Sequence, residues 1–141
     1  MVSEGSPEAQ GTEETVKAIL DTHFLIWIVI RSRRLSRFPW LEKYLPWGVS
    51  PIALLEIQFL SELGKVDLKP GFHDAVRSDA RFELDAPPSA SLVERAIPLG
   101  WTRDPFDRLL AAHSEVRRSP MISVDEDMLE NHRLIVRELK T

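Results

Sequence analysis

Four carboxylates stand where an apolar scaffold does not ordinarily place a charge. Asp21 is the only acid in AILDTHFLIWIV and directly follows the apolar run VKAIL. In SPIALLEIQFLSELG, Glu56 lies four residues after Ile52, in a helical stripe with Phe59, Leu60 and Leu63. Asp107, in WTRDPFDRLLAAHS, opens a helical face continued by Leu110, Ala111 and Ser114. Asp125 follows PMISV without a break. A carboxylate left bare in low dielectric is costly, so each needs water, a partner or a cation. Should the four converge, their repulsion raises some pKa values unless a cation neutralises them. Oxygen-only ligation by carboxylates and water suits Mg²⁺ or Mn²⁺. One or two such ions can align water for attack on a phosphodiester and stabilise the leaving oxygen.

Every one of these acids also has a purely structural reading. Asp21 and Asp125 suit helix N-caps. Asp104, just before Pro105, suits a cap as well, with Asp107 as the acidic third residue favoured by the helix dipole. A buried Glu56 would need an Arg or backbone donors, yet positions 52, 53, 59 and 60 are Ile, Ala, Phe and Leu. The histidines suggest little more. His23, His73 and His132 lack zinc-like spacing, and His113 falls off the helical face of Asp107, which favours packing or hydrogen bonding.

The elements that must position these acids follow from pattern and punctuation. VKAIL reads as a short buried strand and THFLIWIVIR as an apolar helix. RSRRLSRFP reads as a helix end and basic connector, WLEKYLPWG as a short helix before Pro46, and WGVS as a second strand. Ser50 as cap, Pro51 at the first helical position and Gly64 as terminator frame the next helix. A loop and short helix fill KVDLKPGFHDAVRSDA, a strand RFELDA, and a helix the region of SASLVERAIPLG. DPFDRLLAAHSEVRR is a helix, PMISV a strand, DEDMLENHR a helix or turn, and LIVREL a closing strand. Short apolar strands alternating with helices predict an α/β sandwich, three layers around a mainly parallel sheet. Functional residues in such folds gather beyond the carboxyl ends of the strands.

A chain of 141 residues without cysteine fits one domain with no disulfide or thiolate chemistry, as suits a reducing cytosol. The longest apolar stretch, residues 24–30, is too short to cross a bilayer, and no signal peptide is visible, so a cytoplasmic protein with no membrane role is expected. Glu4, Glu8, Glu13 and Glu14, with no base among residues 1–16, account for the net charge of −4. That segment is expected to be a flexible acidic tail and residues 17–141 the folded domain. The remaining 18 acids balance 18 bases, so a nucleic-acid substrate is compatible with the acidic total. Arg31, Arg33, Arg34 and Arg37 could hold RNA phosphates, contact a protein partner, or form a solvated turn. Trp27, Trp40, Trp47 and Trp101 read as core or interface anchors.

The ordered set ILDTHFLIW, SPIALLEI, RDPFDRLLAAHS and ISVDED resembles the PIN-domain ribonucleases, specifically VapC-type toxins of type II toxin–antitoxin pairs. The resemblance covers about residues 17–140 and implies a PIN-like α/β/α sandwich and a divalent-metal-dependent endoribonuclease that hydrolyses RNA with metal-activated water. It implies Asp21, Glu56, Asp107 and Asp125 as the catalytic and metal-binding acids, with Asp21 and Asp107 the usual ligands. Thr22 matches a small polar residue after the first acid, Ser123 stands where the family usually has Thr, and Asp104 is a further acid of the DPFDR variant. A homodimer and a cognate antitoxin covering the acidic cleft are implied as partners. The rival readings are a non-catalytic PIN-like module that binds RNA or a partner, and a phosphoaspartate switch, for which no lysine is convincingly placed.

Overall fold

The run 16–20, apolar but for the exposed Lys17, is too short for a free-standing strand and is stable only with neighbours on both sides. In the computed structural model, which describes residues 16–140, it contributes β1 (Ile19–Leu20) near the middle of a sheet. There follow α1 (Thr22–Ile30), β2 (Trp47–Val49), α2 (Pro51–Glu62), α3 (Phe72–Ser78), β3 (Phe82–Leu84), α4 (Ser89–Ala96), α5 (Pro105–Arg117), β4 (Met121–Ile122) and α6 (Glu126–Asn131). The strand order is β3-β2-β1-β4 and every pairing is parallel. The edge strand β3 carries the half-buried Glu83 and the exposed Leu84, but a parallel strand covered on both faces must be apolar throughout. Ala18, Ile19, Leu20, Met121 and Ile122 are accordingly all fully buried. The expected α/β architecture is the observed one.

Local signals set the helix ends. Ser50 Oγ accepts from the Ile52 amide at 3.2 Å while Pro51 occupies the first turn of α2. A side-chain cap of this kind is worth about 1 kcal/mol. Gly64 closes the same segment at φ 77°, a left-handed conformation that suits glycine. Gly48, in β2, has a different reason for being glycine. A Cβ there would lie 2.9 Å from the Ala18 carbonyl oxygen and 3.0 Å from the Val16 side chain.

Two expectations are corrected. LIVREL is not a strand: Ile135 makes a single parallel bridge with Met121, and the chain then tightens into a 3-10 turn, Arg137–Leu139. The Met121 amide donates to the Leu134 carbonyl and the Val136 amide to the Met121 carbonyl, which exhausts the pairing available beside so short a strand as β4. The inward stripe of α2 is also displaced. Ala53 and Ile57 face the core, whereas Phe59 and Leu63 are 45% and 52% exposed. Rotation of the helix by about one residue, roughly 100°, leaves Glu56 on its flank rather than pointing into the core.

The acidic tail expected over residues 1–16 lies outside the described residues except for Val16. That side chain packs against the core, and its carbonyl accepts from Ser119 Oγ at 3.0 Å. Among the described residues, no helix is long and apolar enough to cross a membrane.

The close contact at Gly48 yields a prediction. Gly48→Ala must force β1 and β2 apart, and overpacking of this kind costs about 1–3 kcal/mol. Denaturant unfolding should show that loss, and an unchanged midpoint would contradict the packing described.

Candidate metal centre

Three strand ends supply the site. Asp21 directly follows β1, Ser50 and the start of α2 follow β2, and Ser123 and Asp125 follow β4. Because the strands are parallel, their carboxyl ends lie on one side of the sheet, and the acids gather there. Asp21 N-caps α1, its Oδ1 accepting from the Thr22 amide at 2.7 Å. Its Oδ2 accepts from Ser123 Oγ at 2.5 Å. Asp125 N-caps α6, accepting from the Met128 amide at 3.1 Å, while its own amide donates to Ser123 Oγ at 3.0 Å. One hydroxyl thus ties the Asp21 carboxylate to the backbone of Asp125.

A second hydroxyl brings in α2. Thr22 Oγ1 donates to Glu56 Oε1 at 2.5 Å across 34 residues of sequence. The partner that Glu56 needs is therefore a hydroxyl and not a cation. Helix α5 completes the cluster from its first turn. Asp104 caps it, accepting from the Phe106 and Asp107 amides at 2.8 and 3.4 Å. Carboxylate oxygens of Glu56, Asp104 and Asp107 all lie within 4.8 Å of one another.

The structure therefore brings together all the acids singled out in the sequence, in a particular order. The tight group is Glu56, Asp104 and Asp107, whereas Asp21 and Asp125 flank it through Thr22 and Ser123. Cap and site roles coincide in Asp21, Asp104 and Asp125. Asp104 had the Asp-Pro signature of a cap, and its proximity to Glu56 depends on where α5 lies against α2, which no local pattern encodes.

Electrostatics matches the geometry. Burial pushes Asp107 up to about 8, reinforced by the charges of Asp104, Asp21, Asp125 and Glu56. Glu56 is raised to about 7, first by burial and then by Asp21, Asp104 and Asp125, against the lowering effect of the Thr22 hydrogen bond. Asp21, only 4% exposed, is raised by burial although Ser123 and the Thr22 amide favour its charged form. Among the described residues no ion pair reaches any of the five acids.

A second buried acid provides the contrast. Asp85, just after β3, has His113 Nε2 at 2.7 Å and Arg117 Nε at 2.8 Å. Burial works to raise its pKa, but hydrogen bonds from His113 and Arg117 outweigh it and hold the carboxyl below its usual range. Nothing in RFELDA marks this residue, because its partners lie 28 and 32 positions away. His113 is thus a packed, hydrogen-bonded histidine. His132 is likewise buried, its Nε2 2.9 Å from Ser114 Oγ, and burial lowers its pKa to about 4. One acid site is met by the protein's own Arg117 and a hydrogen bond from His113, and the other has no such cation beside it. An all-oxygen donor set without a protein counter-charge fits a hard divalent cation such as Mg²⁺ or Mn²⁺.

Known proteins share this fold. The PIN domain family model matches residues 18–134, and the chain belongs to that family. Sequence comparison with curated proteins finds no match. Among solved structures, the chain is similar to a toxin–antitoxin complex from Klebsiella pneumoniae, at 17% identity and a TM-score of 0.57, covering 79% of this chain and 89% of that one. It is also similar to VapBC2 from Rickettsia felis bound to a DNA fragment from its promoter, at 19% identity and a TM-score of 0.59, covering 84% and 95%. At these identities the likeness is one of fold.

The raised carboxyl pKa values fix a sign. Between about pH 4 and pH 8 the metal-free folded chain binds more protons at Glu56 and Asp107 than the unfolded chain, so stability falls as pH rises through that window. Asp107→Asn removes one of these groups. The metal-free variant should melt several degrees above the parent near pH 8, with the gap closing toward pH 4. A variant less stable than the parent at the upper end would contradict the electrostatics.

Proposed function

We propose that the chain is a VapC-type toxin, a divalent-metal-dependent endoribonuclease that hydrolyses RNA phosphodiester bonds. The observation that carries this reading is the meeting of Glu56, Asp104 and Asp107 within 4.8 Å, flanked by Asp21 and Asp125 and lacking a protein cation. A bound divalent ion would supply Lewis acidity toward water and phosphate oxygens. Asp21, Glu56, Asp107 and Asp125 are the residues assigned to holding it and completing the acidic pocket, with Asp104 beside them.

The supporting hydroxyls have defined tasks. Ser123 fixes Asp21 and the loop of Asp125, and Thr22 fixes Glu56, so three acids keep their orientation without a cation to hold them. Orientation of ligands by such outer hydrogen bonds is worth roughly 10–100-fold in metal affinity or activity. Glu56, held by the Thr22 hydroxyl, can accept the proton that the attacking water loses. Water oxygen bonds to phosphorus, the bond from phosphorus to the leaving ribose oxygen breaks, that oxygen takes up a proton from solvent, and no covalent link to the protein forms.

The same reading supplies the partners. The two solved structures named above are toxin–antitoxin complexes, which supports a cognate antitoxin as partner; a homodimer acting on cytoplasmic RNA belongs to the same proposal. Exposed apolar side chains on and just after α2 (Leu55, Phe59, Leu63) and α4 (Val93, Ile97) offer surface for such contacts.

Purified protein with Mg²⁺ should cleave RNA, chelator should stop it, and Asp21→Asn or Asp107→Asn should slow cleavage by about a hundredfold or more at unchanged folding. Equal cleavage by parent and variants would remove the acids from the reaction. Specific RNA binding without any cleavage would favour a non-catalytic PIN-like module.

A further inference from the structure

Between Asp21 and Glu42 the chain carries no acid but four arginines, Arg31, Arg33, Arg34 and Arg37, in a protein whose net charge is −4. The structure concentrates them. Helix α1 ends at Arg31, which adopts φ 56° as its cap, and Arg33–Arg37 then coil into a tight 3-10 turn capped by Ser32. All four arginines are exposed. Among the described residues none of the four is in an ion pair, although Lys43, Arg77, Arg81, Arg95 and Arg117 are.

The turn is joined to the acidic site by a surface of rings. His23, exposed two residues after Asp21, lies with its ring 6.4 Å from that of Trp27 one helical turn on. The Arg34 guanidinium sits over the half-buried Trp27 ring at 5.4 Å, and Phe38 stacks on the same indole at 6.5 Å with the planes 13° apart. Stacking of this kind pre-organises a guanidinium and leaves its donors for a ligand. Arg31 also lines, with Phe38, Trp47 and Arg81, a hollow of about 570 Å³, so the cationic turn borders a concave surface. The run from Asp21 to Arg31 is one helix of nine residues, about 13 Å long.

We propose that the arginine turn over residues 31–37, approached along His23 and Trp27, holds the phosphate backbone of single-stranded RNA whose scissile bond lies at the acidic cluster. This deepens the nuclease reading and rests on it. The acidic cluster repels a polyanion, so a substrate must be held by positive charge elsewhere, and this turn is the densest run of unpaired cations in the described chain. Aromatic rings interleaved with arginines suit a flexible strand, because stacking accepts any base while the guanidiniums follow the phosphates.

The test separates holding from cutting. A fluorescein-labelled oligouridylate of about 20 nucleotides is titrated in EDTA, and fluorescence anisotropy is followed across a salt series. The R33A/R34A/R37A protein should bind about tenfold or more weakly at roughly 0.1 M salt, and its salt slope should be shallower by about 2, since each lost phosphate contact is worth about 0.7 on a single strand. R33K/R34K/R37K, which keeps the charge, should recover most of the affinity, and matched melting temperatures would show that the turn still folds. Affinity and slope equal to the parent in the alanine variant would overturn the proposal, as would a lysine variant as weak as the alanine one. Cleavage by the parent in Mg²⁺ is measured separately. Cleavage with arginine-independent binding refutes the turn's role alone, whereas arginine-dependent binding without cleavage refutes the nuclease reading and keeps the turn as an RNA-holding surface.

Discussion

Like charges drawn together at the carboxyl ends of a parallel sheet repel one another, and two of them about 4 Å apart near a protein surface do so by about 4 kcal/mol. The fold accepts this at the cluster of Glu56, Asp104 and Asp107 and meets it with protons, raising Asp107 to about 8 and Glu56 to about 7. Among the described residues, no arginine or lysine is ion-paired with it. The same protein shows at Asp85 that it can bury an acid beside His113 and Arg117 when a structural anchor is the outcome. The difference between the two sites is the basis of the functional reading. Charge left uncompensated by the chain is charge available to a cation.

Helix geometry makes such a cluster tolerable. Asp21, Asp104 and Asp125 each cap a helix, so the amino ends of α1, α5 and α6 carry acids of the site. A helix amino end bears partial positive charge and unpaired amides, both of which favour a carboxylate. Ser123 and Thr22 then hold Asp21 and Glu56 in place with one hydroxyl each. Replacing either hydroxyl by an apolar group would leave the folding signals of the helices intact while loosening the acids.

Much of this was legible in the sequence because its signals are local. Ser50-Pro51 marked the start of α2, Asp104-Pro105 that of α5, and acids directly after VKAIL and PMISV marked the strand ends that became the site. The parallel α/β class followed from short apolar runs alternating with helices. Features set by tertiary packing were not legible. The rotation of α2 that exposes Phe59 and Leu63, the single bridge that replaces a closing strand at Ile135, and the long-range trio of Asp85, His113 and Arg117 all depend on how elements meet. So does the substitution of Asp104 for the strand-end acids in the tightest group.

If Asp21, Glu56, Asp107 and Asp125, with Asp104 beside them, make up one cation site, its occupancy must displace protons. Calorimetric titration of Mn²⁺ into the metal-free protein near pH 7, repeated in two buffers of different ionisation enthalpy, measures both at once. Saturable binding with net proton release, lost in the Glu56→Gln/Asp107→Asn double variant, is the predicted result. Absence of saturable binding, or binding that the double variant retains with the same proton balance, would contradict it.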